Sequence, residues 1–174
     1  LYPKKAIGIS RICTIINIVD SIVYQAIVDK IASNNYDLIL KNKDFVFSHH
    51  LNEGVAEGIQ ILDNIDISKG KGFFFKKWPE LHNRYKLNRN QIIDNNKDLF
   101  ILTTDLTSFY DTIQHSILKK KIEDQYCLDS NISKVLFKCL DAFSGTNEMK
   151  TPGVGIPQGP QPSEFLAELM LYDI

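Results

Sequence analysis

The sequence predicts an α+β fold. Several segments carry apolar residues at three- and four-residue spacing, the period of an amphipathic helix. One short apolar run, Leu99–Leu102 followed by Thr103 and Thr104, reads as a buried strand ending at Asp105. A basic hairpin pattern opens the chain, and helical and strand-like segments do not alternate as βαβα, which argues against a doubly wound sheet.

In chain order, "LYPKKAIGISRICT" (1–14) reads as two short strands joined by a turn. From Ile15 to about Ser33, the positions Ile18, Ile22, Val23, Ala26, Ile27 and Ile31 mark a helix, capped near Asp20 or slightly earlier. Residues 37–47 resemble a hairpin around Asn42, and 51–67 show helical spacing through Val55, Ile59, Ile61 and Leu62. Pro79 is placed to start a helix reaching about Ile93. "KDLFILTTD" is the expected buried strand, and "QHSILKKKIEDQY" a helix after it. Ile132, Val135, Leu136, Leu140 and Phe143 define one side of a helix over 131–143. A Gly/Pro loop from Thr151 leads into a last helix opening at Pro162 or Ser163.

Length of 174 residues allows one ordinary domain or one and a half small ones. The formal net charge of −1 says nothing about a nucleic-acid partner, so local charge has to. Cys13, Cys127 and Cys139 form no CxxC pair and read as buried free thiols of a reducing cytoplasm. No apolar stretch approaches the roughly 18 to 20 residues of a membrane helix. The chain opens without Met or a signal peptide and stops inside a helical pattern, which leads us to expect a piece of a larger protein.

Three places carry chemistry. Asp105 stands at a strand end with Phe109 and Tyr110 behind it; it is either a helix cap or a metal-binding carboxylate. The two rings are either core aromatics, Phe109 more so, or a pocket wall. "GIPQGPQPS" (155–163) holds three prolines and two glycines in nine residues before a helix. It is either a connector or a stiff loop presenting Gln158, with Ser163 capping a helix whose N-terminal amides suit a phosphate. Between 69 and 89, Lys69, Lys71, Lys76, Lys77, Arg84, Lys86 and Arg89 face a single acid, Glu80. Contact with a nucleic-acid backbone is the expected use of those charges. The interleaved Phe73, Phe75 and Trp78 read as anchors to the core. His49 and His50 lack partners at zinc-site spacing, and "KGKG" is no P-loop.

Taken together, these residues resemble reverse transcriptases. Pro157, Gln158, Gly159 and Ser163, followed by an apolar helix, are similar to that family's Pro-Gln-Gly motif. "TTDLTSFYDTIQHSIL" resembles its first catalytic motif, and "YPKKAIGISRICTI" the fingers hairpin of group II intron, retron and related bacterial enzymes. The wording "PSEFLAEL" leans towards the defence-associated, abortive-infection type.

The resemblance implies right-hand polymerase fingers plus an incomplete palm. Fingers would occupy 1–98, and the palm strand with the first catalytic motif 99–116. Connecting helices would fill 117–150, and the palm loop and helix 151–174. It further implies an RNA-directed DNA polymerase adding dNTPs to a primer on an RNA template, in a bacterial cytoplasm, with a DNA or RNA primer. Two Mg²⁺ ions, or Mn²⁺, would be held in part by the Asp105 carboxylate and the Leu106 carbonyl. Arg11 and either Lys4 or Lys5 would contact the triphosphate. Tyr110 would lie under the sugar and disfavour a 2′-hydroxyl, Gln158 and Gly159 would border the nucleotide, and His115 would orient backbone. Lys76, Lys77, Arg84, Lys86, Arg89 and Ser163 would contact nucleic acid.

One departure from the pattern is clear. The paired aspartates of the second catalytic motif are absent, and Asp173, within the helix after the loop, is a decoy. The thumb is missing too, so the chain alone is expected to be inactive. Template-independent or protein-primed synthesis by the same site, and a catalytically dead nucleic-acid-binding module, are the alternatives.

Overall fold

The computed structural model describes residues 2–3, 10–11, 13–40, 46–52, 55, 74–96, 98–144 and 151–172. The expected elements over 41–45 and 56–67, the lysines Lys4, Lys5, Lys69 and Lys71, Phe73 and Asp173 lie outside the described residues. The described elements are β1 (Tyr2–Pro3), β2 (Ser10–Arg11), α1 (Ile18–Asn34), α2 (Tyr36–Leu40) and α3 (Trp78–Asn95). Then follow α4 (Phe109–Thr112), α5 (His115–Asp124), α6 (Ser130–Phe143) and α7 (Gln161–Leu171). The chain divides into two compact units, one of residues 1–31 with 107–174, the other of 32–106.

The α+β expectation, and with it the fingers-and-partial-palm arrangement, is overturned: the described structure is mostly helical. Its strands are the antiparallel pair β1–β2, two residues each, with Tyr2 opposite Arg11 and Pro3 opposite Ser10. The run expected as a buried strand is in neither a strand nor a helix. Phe100 is 100% exposed, Leu102 90% and Ile101 64%, and no hydrogen bond involves Leu99–Leu106 among the described residues. A strand draws its hydrogen bonds from a neighbour, so an apolar pattern alone cannot make one.

In the first unit the helices form where local chemistry and burial agree. Asn17 caps α1: its side-chain oxygen accepts from the Asp20 N–H at 3.0 Å, and its amide in turn donates to the Asp20 carboxylate. The cap therefore falls three residues before Asp20. The buried side of α1 in this unit is Tyr24, Ile27, Val28 and Ile31, whereas Ile18, Ile22, Val23 and Ala26 are exposed. α1 is apolar nearly all round, so spacing could not select the face.

Asp129 caps α6, its Oδ1 accepting from Asn131 N at 2.8 Å and Ile132 N at 3.3 Å. The helix then buries Ser133, Leu136, Phe137 and Leu140, at helical spacing, and leaves Val135 exposed. Between α5 and α6 the chain turns through Cys127 in a left-handed conformation, φ 50°. α5 packs on both α6 and α7 with His115, Leu118 and Ile122 inward. α7 is buried over most of its length, from Pro162 to Leu169, and acts as the central helix of this unit. All three cysteines are free; Cys127 is exposed and the other two half-buried, so the expected burial does not hold.

The tie between α1 and α7 is a buried hydrogen bond of 2.9 Å between the Tyr24 hydroxyl and Ser163 Oγ. Burial pushes the Tyr24 phenol well above its usual range, against a smaller opposing effect of the Ser163 bond. The native state therefore holds that proton more tightly than the unfolded chain, where tyrosine ionises near pH ~10. The tyrosine's contribution is intact below about pH 10 and is lost as pH rises beyond it.

Tyr24→Phe strands the Ser163 hydroxyl and should cost about 1–3 kcal/mol in denaturant melts at neutral pH. It should also flatten the alkaline loss of stability by up to ~1.4 kcal/mol per pH unit. Ile101→Pro removes an N–H that bonds to nothing, so the melting temperature should stay within about 0.5 kcal/mol equivalent of wild type; a large drop would mean that the run is paired.

Candidate functional site

The Gly/Pro loop of residues 151–160 is fixed by other segments rather than by a sheet. Val154 bridges Gln114. His115 N donates to Gly153 O at 2.8 Å, Gly155 N to Ile113 O at 2.8 Å, and Ile156 N to Tyr110 O at 2.9 Å. On the far side Thr14 N donates to Gln158 O at 2.9 Å. The loop is thus clasped between the residues just after Arg11 and the segment that carries Tyr110.

Gly155 is where three of the loop's hydrogen bonds meet. Its φ is +91°, and a Cβ there would meet Asp111 O at 3.5 Å and Tyr110 O at 3.7 Å. Its carbonyl accepts from Ser144 Oγ and from His115 Nε2, each at 2.6 Å. A carbonyl oxygen cannot donate, so Nε2 carries the hydrogen. The other ring nitrogen, Nδ1, lies 3.3 Å from Asp141 Oδ1, which also receives Gly153 N at 3.3 Å. The expected orienting role of His115 takes this form: a buried ring bridging the loop carbonyl and the exposed Asp141 on α6.

The other expected residues are placed as follows. Gln158 is half-buried and Gly159 exposed, with φ +110° and the Cys13 side chain 3.5 Å from where a Cβ would stand. Tyr110 and Phe109 are both half-buried, their rings edge to face at 6.3 Å. Arg11 contributes its backbone to β2, and its side chain lies outside the described residues. Ser163 is fully buried on Tyr24, so its hydroxyl offers nothing to a phosphate, and the helix begins earlier, with Pro160 at the N-cap position and no side-chain cap.

Asp105 and Leu106 belong to the second unit and are exposed on the unpaired run. Among the described residues, no group of three or more His, Cys, Asp and Glu is placed to hold a metal ion. One carboxylate does not hold two ions, so these residues are not a complete metal site.

In the same unit, Phe75 is buried and bridged to Leu51, and Lys76 N donates to His50 O at 2.7 Å. Lys76 is half-buried; Lys77, Arg84, Lys86 and Arg89 are exposed on or beside α3, whose one buried residue is Leu81. Phe75 anchors the segment as expected, but Trp78 does not: it is 65% exposed. No described helix is long and apolar enough to cross a membrane. The chain matches no protein-family model, no curated protein and no solved structure.

Gly155→Ala forces a side chain into a left-handed backbone beside Asp111 and should cost about 1–3 kcal/mol of unfolding free energy. Calorimetry checks this, and an unchanged melting temperature would mean that the loop is not held as described.

Proposed function

We propose that this chain supplies part of the active site of a bacterial reverse transcriptase, an RNA-directed DNA polymerase that extends a DNA or RNA primer with dNTPs, in the cytoplasm and in a phage-defence setting. The reading rests on the motif residues, and one observation carries it furthest. The loop with Gln158 and Gly159 is hydrogen-bonded on one side to Thr14, three residues past Arg11, and on the other to Tyr110. Segments far apart in sequence that resemble three motifs of one enzyme family are thereby joined through a single loop.

On this reading the stiff loop sets where Gln158 meets the nucleotide, and the Tyr110 ring disfavours a 2′-hydroxyl. Arg11, with Lys4 or Lys5, neutralises the triphosphate. Asp105 and the Leu106 carbonyl are assigned as ligands of the Mg²⁺ or Mn²⁺ pair, with the remaining carboxylates supplied from outside this chain. Template-independent or protein-primed synthesis would use the same residues and differ in its products.

Primer extension on an RNA template tests the proposal, in a protein that joins this chain to an Asp-Asp hairpin. Asp105→Ala should lower synthesis by about a hundredfold or more, since metal-borne charge stabilisation is worth several kcal/mol. Unchanged synthesis would remove Asp105 from the site. Residues 1–174 alone should incorporate no nucleotide.

A further inference from the structure

α3 carries a face that the core does not use. Trp78, His82, Tyr85 and Arg89 recur at four-, three- and four-residue spacing, which puts them on one side of the helix. The Trp78 and His82 rings stack at 4.5 Å with 14° between planes. His82 and Tyr85 follow at 6.3 Å and 25°, and the Arg89 guanidinium lies 5.9 Å over the Tyr85 ring. Phe47 meets Tyr85 edge-on at 5.8 Å and steadies that end. Trp78 is 65% and Tyr85 42% exposed. An isolated exposed tryptophan is ordinary, but a row of mutually stacked rings ending in an arginine is a built surface.

Charge decides what fits it. From Lys76 to Asn95 there are five basic residues (Lys76, Lys77, Arg84, Lys86, Arg89) against two acids, Glu80 and Asp94. None of Lys77, Arg84, Lys86 and Arg89 forms an ion pair among the described residues. Rings that accept a flat π surface, beside exposed cations that no carboxylate neutralises, match the chemistry of unpaired nucleotides. A duplex hides its base faces and cannot use the rings. Because the rings already hold one another, little side-chain freedom is lost on binding.

We infer that the Trp78–His82–Tyr85–Arg89 face is a docking surface for single-stranded nucleic acid, with a base stacked on Trp78 and phosphates on Lys86 and Arg89. It stands independently of nucleotidyl transfer, since neither Asp105 nor the Pro-Gln-Gly loop takes part.

Trp78 is the single tryptophan of the chain, so its fluorescence reads the contact directly. Titration with oligo(dT) or oligo(U) of about twelve nucleotides should quench it saturably, and a duplex of equal length should not. By anisotropy of labelled oligonucleotide, Trp78→Ala should weaken binding about ten- to hundredfold, and Trp78→Tyr should retain most of it. Lys86→Gln with Arg89→Gln should reduce the slope of log affinity against log salt by about 1.4. Lys134→Gln, at an exposed charge on α6 of the other unit, should bind as wild type, which separates this surface from attraction to any exposed cation. No quenching, equal affinity for duplex, or a Trp78→Ala protein that keeps its circular dichroism and its binding would each overturn the inference. So would sedimentation showing that the face joins two copies, with Trp78→Ala giving the monomer.

Discussion

The first unit depends on satisfying the backbone of a loop that has no sheet to lie in. Residues 151–160 bring prolines that donate nothing and glycines in left-handed conformations, so their remaining polar groups need partners from elsewhere. Gly155 is where those partners converge. Its N–H goes to Ile113, its carbonyl takes both His115 and Ser144, and its φ of +91° is one that side-chain-bearing residues rarely adopt. Those contacts fix where α4, α5 and the end of α6 lie relative to the loop, and α7 leaves from its end into the core. Tyr24, bonded to Ser163 at the start of α7, then ties α1 into the same assembly.

What the sequence made legible was local. Pro79 and the basic-aromatic stretch announced α3, and a turn-forming composition marked the loop before α7. Near α6, the repeat of apolar residues found the helix but named Val135 as inward; the buried set runs through Ser133 and Phe137 instead. Capping chemistry would have located its start, because Asp129 precedes the first turn and binds two of its amides. On α1 periodicity named Ile27 and Ile31, which are buried, but also Ile18, Ile22, Val23 and Ala26, which are not: with isoleucine and valine on most sides, only the partner decides which are covered. Tyr24, a residue with a polar tip, is among the inward ones, and its hydroxyl bonds to Ser163.

Non-local facts were out of reach. "LFILTT" has the composition of a strand buried on both faces, but a strand is a relation between two segments and one segment cannot predict it. Ser163 looked like a cap because serine before an apolar run often is one; its distance in space from Tyr24, 139 positions away in sequence, was invisible. The bridging role of His115 was half-legible, since the motif suggested an orienting histidine but not that Asp141 and Gly155 would be its two partners. Among the aromatics of the basic stretch, sequence could not separate Phe75, which is covered, from Trp78, which is not.

The unpaired run also sets thermodynamic terms for the ligand role proposed for Asp105. A carboxylate borne on backbone without hydrogen bonds must have that backbone ordered before it can hold a fixed position, at about 1–2 kcal/mol per residue ordered. A neighbouring strand that ordered Leu99–Asp105 would therefore tighten any ligand that Asp105 grips. By reciprocity the ligand would tighten the strand by the same factor. On the proposed reading, assembly and ligand affinity at this aspartate would be two readings of one equilibrium.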